Sequence, residues 1–121
     1  MRPETHNGIL SMRSRTFDSL TLPFVLSHTG LMIVLGFGGA GLADSGVQLS
    51  LAAFAVLGSI WTLMAADGCL ADFAAGSKDL DDEVGGSHLG ANYQKAPFGV
   101  MRIFNVVVVG LIVLAELMAI Y

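Results

Sequence analysis

Apolar positions along this chain fall into three long blocks, without the period of two that marks a strand. The first is 20-LTLPFVLSHTGLMIVLGFGGAGL-42, the second 46-GVQLSLAAFAVLGSIWTLMAA-66, and the third runs over 97–120. A helix crosses a bilayer's hydrocarbon core, about 30 Å thick, with roughly 20 such residues. Each block reaches that length and is apolar on every face, as a helix with no aqueous side must be. In lipid, only helices and closed barrels satisfy their own backbone. The blocks lack strand alternation, so helices are expected. Even Val106–Val109, a strand-like run in water, falls under the same constraint.

The expected fold is therefore all-α: one integral membrane domain with three transmembrane helices. The reading divides it into an inner N-terminal segment (1–19), a first span (20–42), a second span (46–66, with an extension to 73 left open), an inner polar loop (74–96) and a third span (97–120). Residues 1–8 are polar and expected to be loose. Residues 9–20 read either as a short interfacial helix, with Ile9, Met12 and Phe17 dipping into lipid, or as an irregular lead-in. Asp44 and Ser45 separate the first two spans closely enough for an antiparallel hairpin and can cap the second helix. Pro23 suits the first turn of span one, and Pro97 that of span three.

Composition agrees with the pattern. The chain has 121 residues, 54% hydrophobic and only 13% charged. Soluble domains carry about 25% charged residues, so about half the charge needed to cover a wet surface is missing. Basic residues precede the first span, but that span is longer than a signal's apolar core, so it is expected to remain. A single cysteine, Cys69, excludes an internal disulfide and a multi-cysteine metal site.

Charge sets an orientation. Arg2, Arg13 and Arg15 precede span one; Lys78, Lys95 and Arg102 lie between or just inside spans two and three. With three spans, all six fall on one side. The positive-inside rule then places the N-terminus inside and the C-terminus outside, in a bacterial inner or intracytoplasmic membrane. No basic patch for nucleic acid is present. The expected surroundings are membrane lipid and other integral membrane subunits. The acidic run 79-DLDDE-83 lacks the spacing and central glycine of a calcium loop and reads as a solvated or partner-docking surface.

Candidate chemistry begins with His28, eight residues into span one. An ionisable group inside a membrane is a functional hypothesis by default. Its imidazole can ligate a haem or a chlorophyll- or bacteriochlorophyll-type magnesium, serve a proton or quinone role, or simply bond to a neighbouring helix. Gly30, Gly36, Gly38, Gly39 and Gly41 favour close helix packing, with a groove for a carotenoid, chlorin or lipid tail as the sharper alternative. Ala52, Ala55, Gly58 and Ser59 offer a complementary face on span two. Asp67 and Arg102 are expected to pair near the inner interface, with Asn105 within reach of His28. Glu116 reads as a carboxylate at the outer interface, or as a conduction acid. By depth, His28, Asp67, Arg102 and Asn105 form an inner polar layer, and Asp44, Gln48 and Glu116 an outer one. An ion path needs polar steps between such layers, and one copy of the chain shows none.

Three spans and the string Ser27-His28-Thr29-Gly30 resemble the membrane anchors of succinate dehydrogenases, a likeness that implies a haem-ligating role for His28. The arginine that follows the histidine in that family's motif is absent. No nucleotide loop, zinc-helix motif or nucleophile elbow is present, and no enzyme activity is expected. The first functional expectation is an accessory or structural subunit of a larger membrane complex, bioenergetic in kind (photosynthesis or respiratory electron transport), that packs helices and holds a pigment, haem or lipid. The alternatives are a small homo-oligomeric transporter or channel, and a haem-anchor subunit of an oxidoreductase.

Overall fold

The computed structural model describes residues 2–121, with Asp82 through its backbone alone; Met1, in the expected N-terminal segment, lies outside them. The described chain is all-α. Its elements are α1 (Pro3–Phe37), a 3-10 turn (Gly39–Ala43), α2 (Ser45–Lys78), α3 (Asp82–Gly85), α4 (His88–Lys95) and α5 (Phe98–Ile120). Among the described residues, α1, α2 and α5 are the helices long and apolar enough to cross a membrane.

The first two helices outrun their apolar blocks at the end away from the hairpin turn. α1 has 35 residues and α2 has 34, each about 50 Å long at 1.5 Å per residue. The lead-in expected to be loose or interfacial is thus continuous helix from Pro3, which sits where the missing N–H costs nothing. The two overhangs hold each other. The buried His6 ring donates from Nε2 to the Gly76 carbonyl at 2.9 Å. Arg13 pairs with Asp72, and the Phe17 and Phe73 rings meet edge-on. One consequence corrects the reading of Pro23. It lies inside α1, not in its first turn, and so leaves the Ser19 carbonyl without its helical donor.

The hairpin turn follows from its residues. Gly39 has φ +59°, a backbone conformation that a side chain disfavours. A Cβ on Gly38 would come within 2.9 Å of the Leu42 side chain and 2.7 Å of the Val34 carbonyl. Asp44 then caps α2, its Oδ1 accepting from the Gly46 and Val47 N–H groups at 2.8 and 3.0 Å. Pro97 is the cap of α5, one residue before its first turn. The expected loop over 74–96 is mostly helical: α2 continues to Lys78, and α4 docks on it through Tyr93, whose hydroxyl donates to the Phe73 carbonyl at 2.8 Å. Burial pushes the Tyr93 hydroxyl above its ordinary value of 10.0.

α2 is the central helix, packed along both α1 and α5, while α1 and α5 meet only over a short zone. Its buried stripe is made mostly of small residues, Ala55, Ser59, Ala66 and Cys69, with Leu70 beside them. Ala55 and Cys69 are wholly buried, so Cys69 is packing material between helices. Small residues at such a seam let backbones approach where burial from water supplies no drive. The expected glycine seam of α1 is not used this way. A Cβ on Gly30, Gly36 or Gly41 would meet nothing within the chain. Gly58 is equally open, whereas Ala55 and Ser59 of the face expected on α2 are buried.

Candidate functional site: a buried Ser59–His28–Glu116 cluster

The short zone where α1 meets α5 contains two ionisable side chains. His28 comes from α1, nine residues before its end at Phe37, and Glu116 from α5, four before Ile120. The residues are 7% and 4% exposed, and His28 Nδ1 contacts Glu116 Oε1. Ser59, 2% exposed on the central helix, meets the other ring nitrogen, with Oγ 3.1 Å from Nε2. Phe24, one turn before His28 on α1, covers the ring with centroids 4.3 Å apart. One imidazole therefore joins all three spanning helices.

This arrangement corrects the depth assignment. His28 and Glu116 do not belong to separate inner and outer layers, and His28 does not bond to Asn105. Two causes are visible. The residues counted at the outer end of the first span, Gly38–Leu42, leave the α-helix for the cap and 3-10 turn, so His28 is closer to the helix end than a span ending at 42 implies. Glu116, moreover, is turned inward between helices, not toward the outer surface. Asn105 instead borders a cleft of about 270 Å³ with Thr21, Phe24, Thr62 and Val109, and its buried Nδ2 has no partner.

Hydrogen-bond grammar places the protons. Ser59 Oγ has one proton to give and Nε2 is the partner at hand. With Ser59 donating to Nε2, Nδ1 carries the ring proton and donates to Glu116 Oε1. A carboxylate on one ring nitrogen fixes tautomer and orientation, as it does behind metal-ligating histidines. Here, however, the second nitrogen is already taken by a hydroxyl. A haem iron or chlorin magnesium could approach through the cleft of about 250 Å³ that His28 shares with Phe24, Ser27, Phe54, Gly58 and Trp61. It would have to displace Ser59 first.

The same three residue types perform nucleophilic catalysis elsewhere. The surroundings here lack the rest of that apparatus. Ser59 lies in mid-helix, where backbone N–H groups are bound to carbonyls four residues back and cannot turn toward an oxyanion. What the cluster can do is hold a proton between fixed partners and lock three helices in register. One acceptor remains free: Glu116 Oε2 is buried and has no partner.

The other expected polar contact forms as a fork. Arg102 Nε and an η nitrogen donate to the two carboxylate oxygens of Asp67 at 2.8 and 2.9 Å, tying the start of α5 to α2. At the opposite end of α5, Gln48 Nε2 donates to the Ile120 carbonyl at 3.2 Å. No group of three His, Cys, Asp or Glu that could hold a metal ion occurs among the described residues, and the side chain of Asp82 in the acidic run lies outside them. Asp81 caps α3, accepting from the Val84 N–H at 2.8 Å.

No family model, curated protein or solved structure matches this chain. Its integral membrane character rests on its three apolar helices.

Proposed function

We propose that the chain is a small accessory subunit of a larger multi-subunit membrane complex of the energy-converting kind, photosynthetic or respiratory, in a bacterial inner or intracytoplasmic membrane. The carrying observation is that a Cβ added at Gly30 on α1, Gly58 on α2 or Gly110 on α5 would meet nothing within 4 Å among the described residues. A glycine inside a helix costs about 1 kcal/mol relative to alanine, and nothing in this chain offsets it. A second protein's helix approaching those faces does. Lipid contacts the faces that remain. The basic residues flanking the helices support an N-terminus inside and a C-terminus outside. The buried His28–Glu116 couple supports the energy-converting assignment, because ionisable groups at this depth are costly and serve proton and electron systems.

The test is purification of the full chain from native membranes in mild detergent. Co-migration with other integral subunits is expected, and it should be lost on Gly30→Leu or Gly110→Leu while helicity is kept. A homo-oligomer with no other subunit would overturn the proposal.

One observation favours a second reading, a small homo-oligomeric proton transporter. His28 and Glu116 form a bonded pair of ionisable groups buried between the helices, the kind of group that proton relays use. Proton flux into liposomes that is abolished by His28→Ala would support it; absence of flux would end it. A haem-anchor role requires Nε2 to exchange Ser59 for iron, and the absorption spectrum of the purified chain tests it.

A further inference from the structure

A groove of about 400 Å³ runs between α1 and α5 on the outer side of the His28–Glu116 contact. Its walls are Met32, Leu35, Ile112, Ala115 and Ala119, with open space above Gly36. At its base lies Glu116, 4% exposed, whose Oε2 accepts nothing. The volume falls within the range of small-molecule sites, which pair apolar walls with a few placed polar groups.

A buried carboxylate oxygen without a donor is costly, and the partners within reach are already assigned. In the arrangement with Ser59 donating to Nε2, Nδ1 of His28 gives its proton to Oε1, and neither group has a second proton for Oε2. The missing donor must come from outside the chain, through a groove that is otherwise apolar. The groove offers one acceptor, so it suits a group with one proton. A hydroxyl meets that condition. An ammonium brings three N–H donors, and two would lie against hydrocarbon unpaired. We propose that this groove binds an apolar membrane-soluble molecule through a single hydroxyl, which donates to Glu116 Oε2 while its hydrocarbon body lies along Leu35, Ile112 and Ala119. A long-chain alcohol and an alkyl phenol share this chemistry. The inference is independent of whether the chain sits in a larger complex.

The experiment uses the full chain in phosphatidylcholine nanodiscs and a photoreactive diazirine-bearing hexadecanol, with label positions mapped by mass spectrometry. Labelling is expected at α1 and α5 positions lining the groove. Unlabelled hexadecanol and nonylphenol should compete, and which does so better distinguishes the two sources. Hexadecyl methyl ether, which lacks the donor, should compete about tenfold more weakly, the value of one hydrogen bond. Gly36→Leu fills the groove and leaves His28 and Glu116 in place; it should abolish the labelling, with helicity unchanged. Equal competition by the ether, stronger competition by hexadecylamine, or label spread evenly over all lipid-facing positions would each overturn the proposal.

Discussion

Replacing Glu116 by leucine should cost far more than its position near a helix end implies. The substitution leaves His28 Nδ1–H buried without an acceptor. A stranded buried donor costs about 1–3 kcal/mol, whereas interhelical hydrogen bonds in membranes average about 0.6 kcal/mol and reach about 1.7. Both partners are less than a tenth exposed, so the upper part of that range applies, and about 2 kcal/mol is expected. His28→Leu should cost a similar amount, because it strands the Glu116 carboxyl. The double variant removes both polar groups together. Ser59, released from Nε2, can turn to the carbonyl four residues back and adds little. The two single losses should therefore exceed the double loss by about 1.5 kcal/mol, the upper range of membrane hydrogen-bond coupling. Unfolding of the full chain in mixed micelles, titrated with SDS and followed by far-ultraviolet circular dichroism, measures all four corners of the cycle. Additivity within about 0.3 kcal/mol, the behaviour of independent sites, would refute the coupling.

Three other outcomes are expected. Gly90→Ala places a Cβ against the Val84 carbonyl, which is backbone and cannot swing aside; the clash should cost about 1–3 kcal/mol and appear as faster amide exchange in α4. Burial raises the Tyr93 hydroxyl above 10.0, so the fold favours the protonated phenol. Docking of α4 should be intact below pH 10 and lost as pH rises through the raised value; tyrosinate absorbance in a Tyr121→Phe background follows it, and titration at the ordinary value would contradict burial. Alkaline-phosphatase fusions should be active after Ala43 and after Tyr121, and inactive after Lys95; the reverse pattern would invert the proposed orientation.

The spans were legible because lipid imposes one requirement over some twenty consecutive residues. The Asp44 cap and the Asp67–Arg102 fork were legible for a local reason. Each lies at the edge of an apolar block, where position along the chain fixes depth to within a turn. His28–Glu116 was not legible. Its pairing depends on where α1 stops being α-helical, and hydropathy treats the glycines of the turn as more span. The glycine faces misled for a related reason: small side chains permit close packing without saying which helix approaches. Ser59 was read as part of a packing face, and nothing in its neighbours along the chain marks it as the partner of an imidazole 31 positions earlier. Helical continuity from Pro3 was hidden by polar residues, of which His6 and Arg13 turn toward α2.

The inner overhang of α1 and α2 gives the molecule a handle. α1 is one uninterrupted rod from Pro3 to Phe37, and His6 and Arg13 fasten its inner end to Gly76 and Asp72 of α2. Whatever grips that end in the aqueous phase moves both rods together. The weakest ring of the first rod is at Pro23, where a backbone hydrogen bond is absent. It lies five residues before His28, so bending there would swing the imidazole against two partners held on separate helices. Bending at Pro23 would thus change the hydrogen-bond geometry at the buried carboxyl.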